Sequence, residues 1–182
     1  MEVTTLIQAA NDGDQESLDR LAEILYPELK AMARNRTRAS SGMGATTLVG
    51  ETFVQLLSGG RLKSQDRQQF FGLAATIMRR VIVDEVRYLT AEKRAGDDVT
   101  LVNTIIGGDA HENAEFVLQV DELLSILNGE NPRWAKVFEC RYFAGLTTAE
   151  TAECLGLSER SVERAWSDAR ARMAELLEVA ES

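Results

Sequence analysis

The sequence predicts an all-α chain of two helical domains, 1–94 and 113–182, joined by an acidic linker at 95–112. Three observations carry that prediction. Apolar residues recur three and four apart in every long segment, and no alternating run bounded by turn pairs suggests a strand. Pro27 and Pro132 are the only prolines in 182 residues, so little breaks the helical period. That period lapses between Arg94 and Glu112, where Gly96, Asp97, Asp98, Gly107, Gly108 and Asp109 gather. The stretch exceeds the ~12–15 residues usual for a loop inside a compact domain, so it reads as a joint between two of them.

In order, helices are predicted near 4–11, 14–37, 47–58, 66–92, 113–128, 131–144, 148–155 and 159–177. Leu18, Leu21, Leu25 and Leu29 stripe the second; Leu48, Phe53, Leu56 and Leu57 the third; Phe70, Ala74, Ile77, Val81 and Val86 the fourth. The linker would span ~60 Å if extended. It also holds Leu101, Val102, Ile105 and Ile106, which a purely solvated connector does not need.

The last two helices have the punctuation of a helix-turn-helix in TTAETAECLGLSERSVERAWSDARARM, from Thr147 to Met173. Thr147 with Glu150 forms a capping box, Ala152 is small where two helices cross, Gly156 can end the first helix left-handed, and Ser158 can cap the second. Val162, Ala165, Trp166, Ala169 and Met173 make the inward stripe. That leaves Arg160, Ser161, Glu163, Arg164 and Ser167 to face outward near the helix start, where a recognition helix presents side chains to base edges and phosphates. A plain helical hairpin with solvated charges is the alternative.

A net charge of −9 argues against nucleic-acid binding until it is divided along the chain. Residues 1–29 carry −6, 30–94 carry +7 from twelve bases against five acids, 95–132 carry −8 with no base, and 133–182 carry −2. Within the basic block, Arg79, Arg80 and Arg87 lie along one predicted helix with Phe70, Phe71 and Tyr88. Cations that track phosphates beside aromatics that stack on bases suit melted or single-stranded DNA, although at least one of Phe70 and Phe71 is expected simply as core.

Other chemistry is poorly provided for. Cys140 and Cys154 stand fourteen apart without a metal-ligand spacing and are expected as reduced, packed thiols. His111 is the single histidine, no phosphate loop is present, and the adjacent Asp84 and Glu85 do not share a helical face. Neither an enzyme nor a metal or other cofactor is expected. The opening Met1-Glu2-Val3-Thr4 does not resemble a signal peptide and no run is long enough for a membrane helix, so a cytoplasmic chain without a membrane partner is expected.

Three segments in the same order resemble bacterial sigma-70 family factors of the extracytoplasmic-function (ECF) type. LVGETFVQLL (48–57) is similar to that family's LVQETFLRLW pattern. FFGLAATIMRRVIVDEVRYLTAEKR (70–94) is similar to the regions that melt and read the minus-ten element, and 139–173 to the region that reads the minus-thirty-five element. The resemblance implies a non-catalytic subunit that binds core RNA polymerase, through Leu48, Glu51 and Phe53, and directs it to promoter DNA. Arg79, Arg80 and Arg87, with Arg61 and Lys63 in the loop before the long helix, would then serve the minus-ten element. Arg160, Ser161, Glu163, Arg164 and Ser167 would serve the minus-thirty-five element.

One departure from the family is local. An acidic DAED-like run usually precedes the LVQETF pattern and engages the polymerase clamp, whereas here the stretch is Gly44-Ala45-Thr46-Thr47. Phosphorylation of Thr46, or secondarily Thr47, would restore about −1.5 to −2 of charge at a helix N-terminus, where negative charge is favoured. The chain thereby also resembles a subgroup regarded as controlled by a Ser/Thr kinase in preference to an anti-sigma factor. Simple N-capping by either threonine is the bland alternative. At the level of function, the alternatives are a helix-turn-helix regulator acting without polymerase and a phosphorylation-dependent protein-interaction module.

Overall fold

The computed structural model describes residues 2–37, 44–57, 62, 64–94 and 110–180. Among them the fold is all-α, with no strand. In chain order the helices are α1 (Val3–Asn11), α2 (Gln15–Thr37), α3 (Ala45–Leu56), α4 (Arg67–Arg94), α5 (Ala110–Glu130), α6 (Pro132–Phe138), α7 (Thr148–Leu155) and α8 (Glu159–Ala180), with a π-helical turn at Glu139–Phe143 after α6. Residues 95–109 of the expected linker, Leu101, Val102, Ile105 and Ile106 among them, lie outside the described residues; the helix expected from 113 already runs from Ala110.

α4 is the axis of the molecule and touches α1, α3, α5, α7 and the π turn. Its first five turns close a core against α1, α2 and α3, in which Leu6, Ile7, Leu25, Leu29, Leu56, Phe70 and Met78 are wholly buried. Burying such a side chain stabilises by about 1.5–3 kcal/mol, and the predicted stripes supply most of this cluster. Phe70 and Phe71 both belong to it, packed edge to face at 5.2 Å, which settles them as core rather than stacking platforms. Farther along, Val83 and Val86 join a second core with Val120, Leu124, Leu127, Phe138, Phe143 and Met173.

The helix expected over 131–144 is a correction, because it is not one α-helix. Asn131 caps α6 by accepting from the amides of Arg133 and Trp134, and after Phe138 the backbone widens, Ala144 N–H bonding back five residues to Glu139 at 3.3 Å. The wider turn sends neighbours to different cores. Cys140 and Ala144 enter the first cluster, Phe138 and Phe143 the second, and Glu139 is buried toward α4.

α3 also begins earlier than expected. Gly44 stands at its N-cap without a side-chain hydrogen bond, so Thr46 and Thr47 are exposed first-turn residues and neither caps the helix. Simple capping by a threonine is thereby overturned.

The helix-turn-helix forms as its residues dictate. Thr147 and Glu150 complete the capping box, Gly156 is left-handed at φ 63°, and Leu157 N–H bonds to Ala152 at 2.9 Å across the turn. Ser158 accepts from the amide of Ser161 at the start of α8. A methyl added at Gly156 would sit in a disfavoured conformation and 3.3 Å from Oε1 of Gln68. Gly156→Ala is therefore expected to cost about 1–2 kcal/mol and to lower the melting temperature by several degrees in a calorimetric scan; an unchanged value would show the turn to be under no such constraint.

Candidate nucleic-acid and polymerase interface

α8 holds its inward stripe against the rest of the C-terminal half: Val162, Ala165, Ala169 and Met173 are buried, and Trp166 is flanked by the guanidinium groups of Arg141 and Arg170 at 5.2 and 5.7 Å from its ring. At the far end of α8, Arg172 bonds Glu130 at 2.7 and 2.8 Å and fixes it to α5; these hydrogen bonds hold the Glu130 carboxyl below its usual range. Such anchoring leaves Arg160, Glu163, Arg164 and Ser167 exposed near the helix start. Arg160 and Arg164 have no ion pair among the described residues. Ser161 is half-buried, its hydroxyl 2.8 Å from that of Ser158, and so belongs to the cap. The two arginines are therefore available to an acceptor such as a guanine edge or a phosphate.

The cations of α4 are arranged differently. Arg80 is exposed and has no ion pair among the described residues. Arg79 instead bonds Asp121 of α5 at 2.6 Å, reaches Glu139 of the π turn at 3.4 Å, and donates to the Asp121 carbonyl at 3.0 Å. Arg87 lies 3.3 Å from Asp121 and 3.8 Å from Asp84. Glu139 is bonded further by Lys136 at 2.7 Å and by the hydroxyl of Thr76 at 3.0 Å. A crevice of about 280 Å³ between α4, α5 and the π turn is lined by Thr76, Arg79, Arg80, Arg87, Asp121 and Glu139. Two acids of the C-terminal half, Asp121 and Glu139, thus lie against Arg79, and Asp121 also lies against Arg87.

Asn11, which the sequence reading missed, orders part of the loop before α4. Its side-chain amide donates to the Ser64 carbonyl and accepts from the Leu62 amide, both at 2.9 Å, while Leu62 and Ser64 are themselves buried. Arg61 and Lys63 lie outside the described residues. An asparagine ending a helix carries no sequence signal that distinguishes a loop clamp from an ordinary cap.

On α3, Leu48 is 1% exposed and Phe53 half-buried, both facing the first core, whereas Glu51 is exposed. Thr47, Glu51, Val54 and Gln55 form its outer face, and Val54 is 70% exposed. A partner approaching this face meets Glu51 and Val54, and Leu48 only supports it from behind. Val54 breaks the inward period of the helix, and that was its available signal.

Arg67 of α4 bonds Glu28 of α2 within its own half and Glu153 of α7 across to the other, and lies over the Phe71 ring at 5.0 Å. No helix among the described residues is long and apolar enough to cross a membrane.

Comparison with known proteins adds three findings. A family model described as ECF sigma factor matches residues 1–179. No curated protein matches. Among solved structures, CnrH in complex with the cytosolic domain of CnrY is similar at 21% identity and a TM-score of 0.43, over 97% of this chain and 97% of that one.

Proposed function

The chain belongs to the ECF sigma factor family, and from that premise we propose that it binds core RNA polymerase and directs promoter-specific initiation, with residues 1–94 serving the minus-ten element and 113–182 the minus-thirty-five element. The observation that carries the second assignment is the exposed quartet Arg160, Glu163, Arg164 and Ser167 at the start of a buried-backed, capped α8. Arg80 and, once released from Asp121 and Glu139, Arg79 and Arg87 supply cations for the first, with Arg61 and Lys63 of the preceding loop.

In the free chain Arg79 and Arg87 face the protein's own acids, so their engagement with the minus-ten element requires the two halves to part. That fits a factor whose non-specific affinity for DNA comes mainly from polymerase. The outer face of α3, with Glu51 and Val54, is the surface offered to polymerase. Phosphorylation of Thr46, or less readily Thr47, completes it: both hydroxyls are exposed, the first turn of α3 contains no acid, and a phosphate there also gains from the helix dipole. A Ser/Thr kinase is the partner this implies.

Run-off transcription with core polymerase tests both levels. The Thr46→Glu chain is expected to yield a promoter-specific transcript, and the unmodified chain several-fold less. Absence of such a transcript from both chains overturns the sigma-factor assignment. Equal transcript and equal polymerase affinity from both would leave that assignment standing and remove the phosphorylation step.

A further inference from the structure

One crevice is walled by both halves of the molecule. It holds about 460 Å³ between α1, α2 and the start of α4 on one side and Leu146 and α7 on the other. That is the size of a small-molecule site, which runs from ~300 to 1,000 Å³. Met32, Phe71 and Leu146 are buried apolar residues of its lining and make a floor. Around them stand five carboxylates, Glu2, Glu28 and Asp66 from the N-terminal half and Glu150 and Glu153 from the C-terminal half, against the single base Arg67, a formal surplus of −4.

Arg67 shows what such walls hold. Its guanidinium lies over the Phe71 ring at 5.0 Å and bonds Glu28 and Glu153 at once, so one cation already meets an aromatic face and two carboxylates inside the crevice. Glu2, Asp66 and Glu150 have no ion pair among the described residues.

We propose that this crevice binds a small amphipathic organic cation, an ammonium group on a short aromatic or aliphatic body, and that the bound cation clamps the two halves together. The ammonium meets the acidic rim while the body covers Met32, Phe71 and Leu146. Both parts are needed, because an ammonium paired only with surface carboxylates gains little and the floor alone does not discriminate by charge. The clamp follows from where the acids come from. Closing the halves brings Glu150 and Glu153 up to Glu2, Glu28 and Asp66, and gathered carboxylates repel one another. A cation relieves that repulsion in the closed arrangement and has less to relieve once the halves part, so it binds the closed form better and shifts the chain toward it. Arg79 and Arg87 then stay against Asp121 and Glu139. Any consequence for promoter DNA rests on the function proposed above; the site and the clamp do not.

The test is isothermal titration calorimetry of the full-length chain with phenethylammonium, beside phenethyl alcohol and phenylacetate, which share its body but carry no charge or the opposite one. Expected are one site per chain for the ammonium at millimolar affinity or tighter, several-fold weaker binding of the alcohol, and none of the carboxylate. Added salt should weaken binding of the ammonium and not of the alcohol. Ala31→Trp, on the crevice wall, should fill the site and abolish binding, and Glu2→Gln should weaken it several-fold. Both variants should keep the fold, since Ala31 is exposed and the Glu2 side chain makes no capping hydrogen bond to α1. Hydrogen exchange at residues 76–87 of α4, which lie outside the crevice, should slow when phenethylammonium is bound, because the halves are held closed. No saturable heat from phenethylammonium, equal affinity for the ammonium and the alcohol, binding that survives Ala31→Trp, or unchanged exchange at 76–87 with the site filled would each overturn the proposal. None of these readouts involves polymerase or DNA, so failure of the sigma-factor role would leave them intact.

Discussion

Replacing Glu139 with alanine is expected to cost about 3–5 kcal/mol of stability, the largest loss from any single side-chain truncation outside the apolar cores. The carboxylate is 5% exposed and is held by Arg79, Lys136 and Thr76 together. Removing it leaves Lys136 without its acid and Arg79 with Asp121 alone, and that lost compensation in a partly buried site is what makes the deletion expensive. The melting temperature should fall by about 10 °C. Hydrogen exchange along residues 76–87 of α4 should rise first, since that is where α5 and the π turn are fastened. Glu139→Gln, which retains a hydrogen-bond acceptor, should lose less. A Glu139→Ala protein as stable as wild type would mean that the Glu139 network adds nothing to the joint between the halves.

The second large effect is functional. Arg164→Ala should reduce run-off transcript by roughly 10- to 100-fold, the equivalent of the ~1–3 kcal/mol carried by a good contact between an arginine and a base. Stability should hardly change, because Arg164 is exposed and bonds nothing among the described residues. Thermal melting of the variant therefore separates a recognition role from a folding one. Full transcript at wild-type polymerase concentration would place promoter reading elsewhere on the molecule.

Features that depend on neighbours in the chain were legible before any coordinates. The capping box of Thr147 and Glu150, the left-handed Gly156 and the cap at Ser158 are each set by residues no more than three apart, and they formed as read. So did the inward stripe of α8, because a period of 3.6 residues fixes which side chains share a face. Where a choice depended on distant residues, the reading failed or remained open. Phe70 and Phe71 carry the same apolar pattern whether they stack on bases or fill a core. The π turn after Phe138 arises because one short segment must feed two clusters at once. Leu48 lies within the motif that suggested polymerase contact, yet it is buried in the first core, and the large apolar side chain that helix exposes is Val54.

By itself the sequence determined the helical class, the order of the helices, the family resemblance and, Ser161 excepted, the residues that α8 turns outward, since local hydrogen bonding and periodicity dictate these. Only the tertiary structure decided which charges are free. Arg79, Arg80 and Arg87 share one short stretch of α4, but Asp121 and Glu139, more than thirty positions away, engage the first and third and leave the second exposed. It likewise brought two cysteines fourteen residues apart into one buried core and placed one of them on the wall of a crevice. The physical reason is common to both. Coulombic and sulfur contacts act over a few ångströms in space, whatever the distance along the chain, so they become visible only once the packing of apolar faces has set which helices are neighbours.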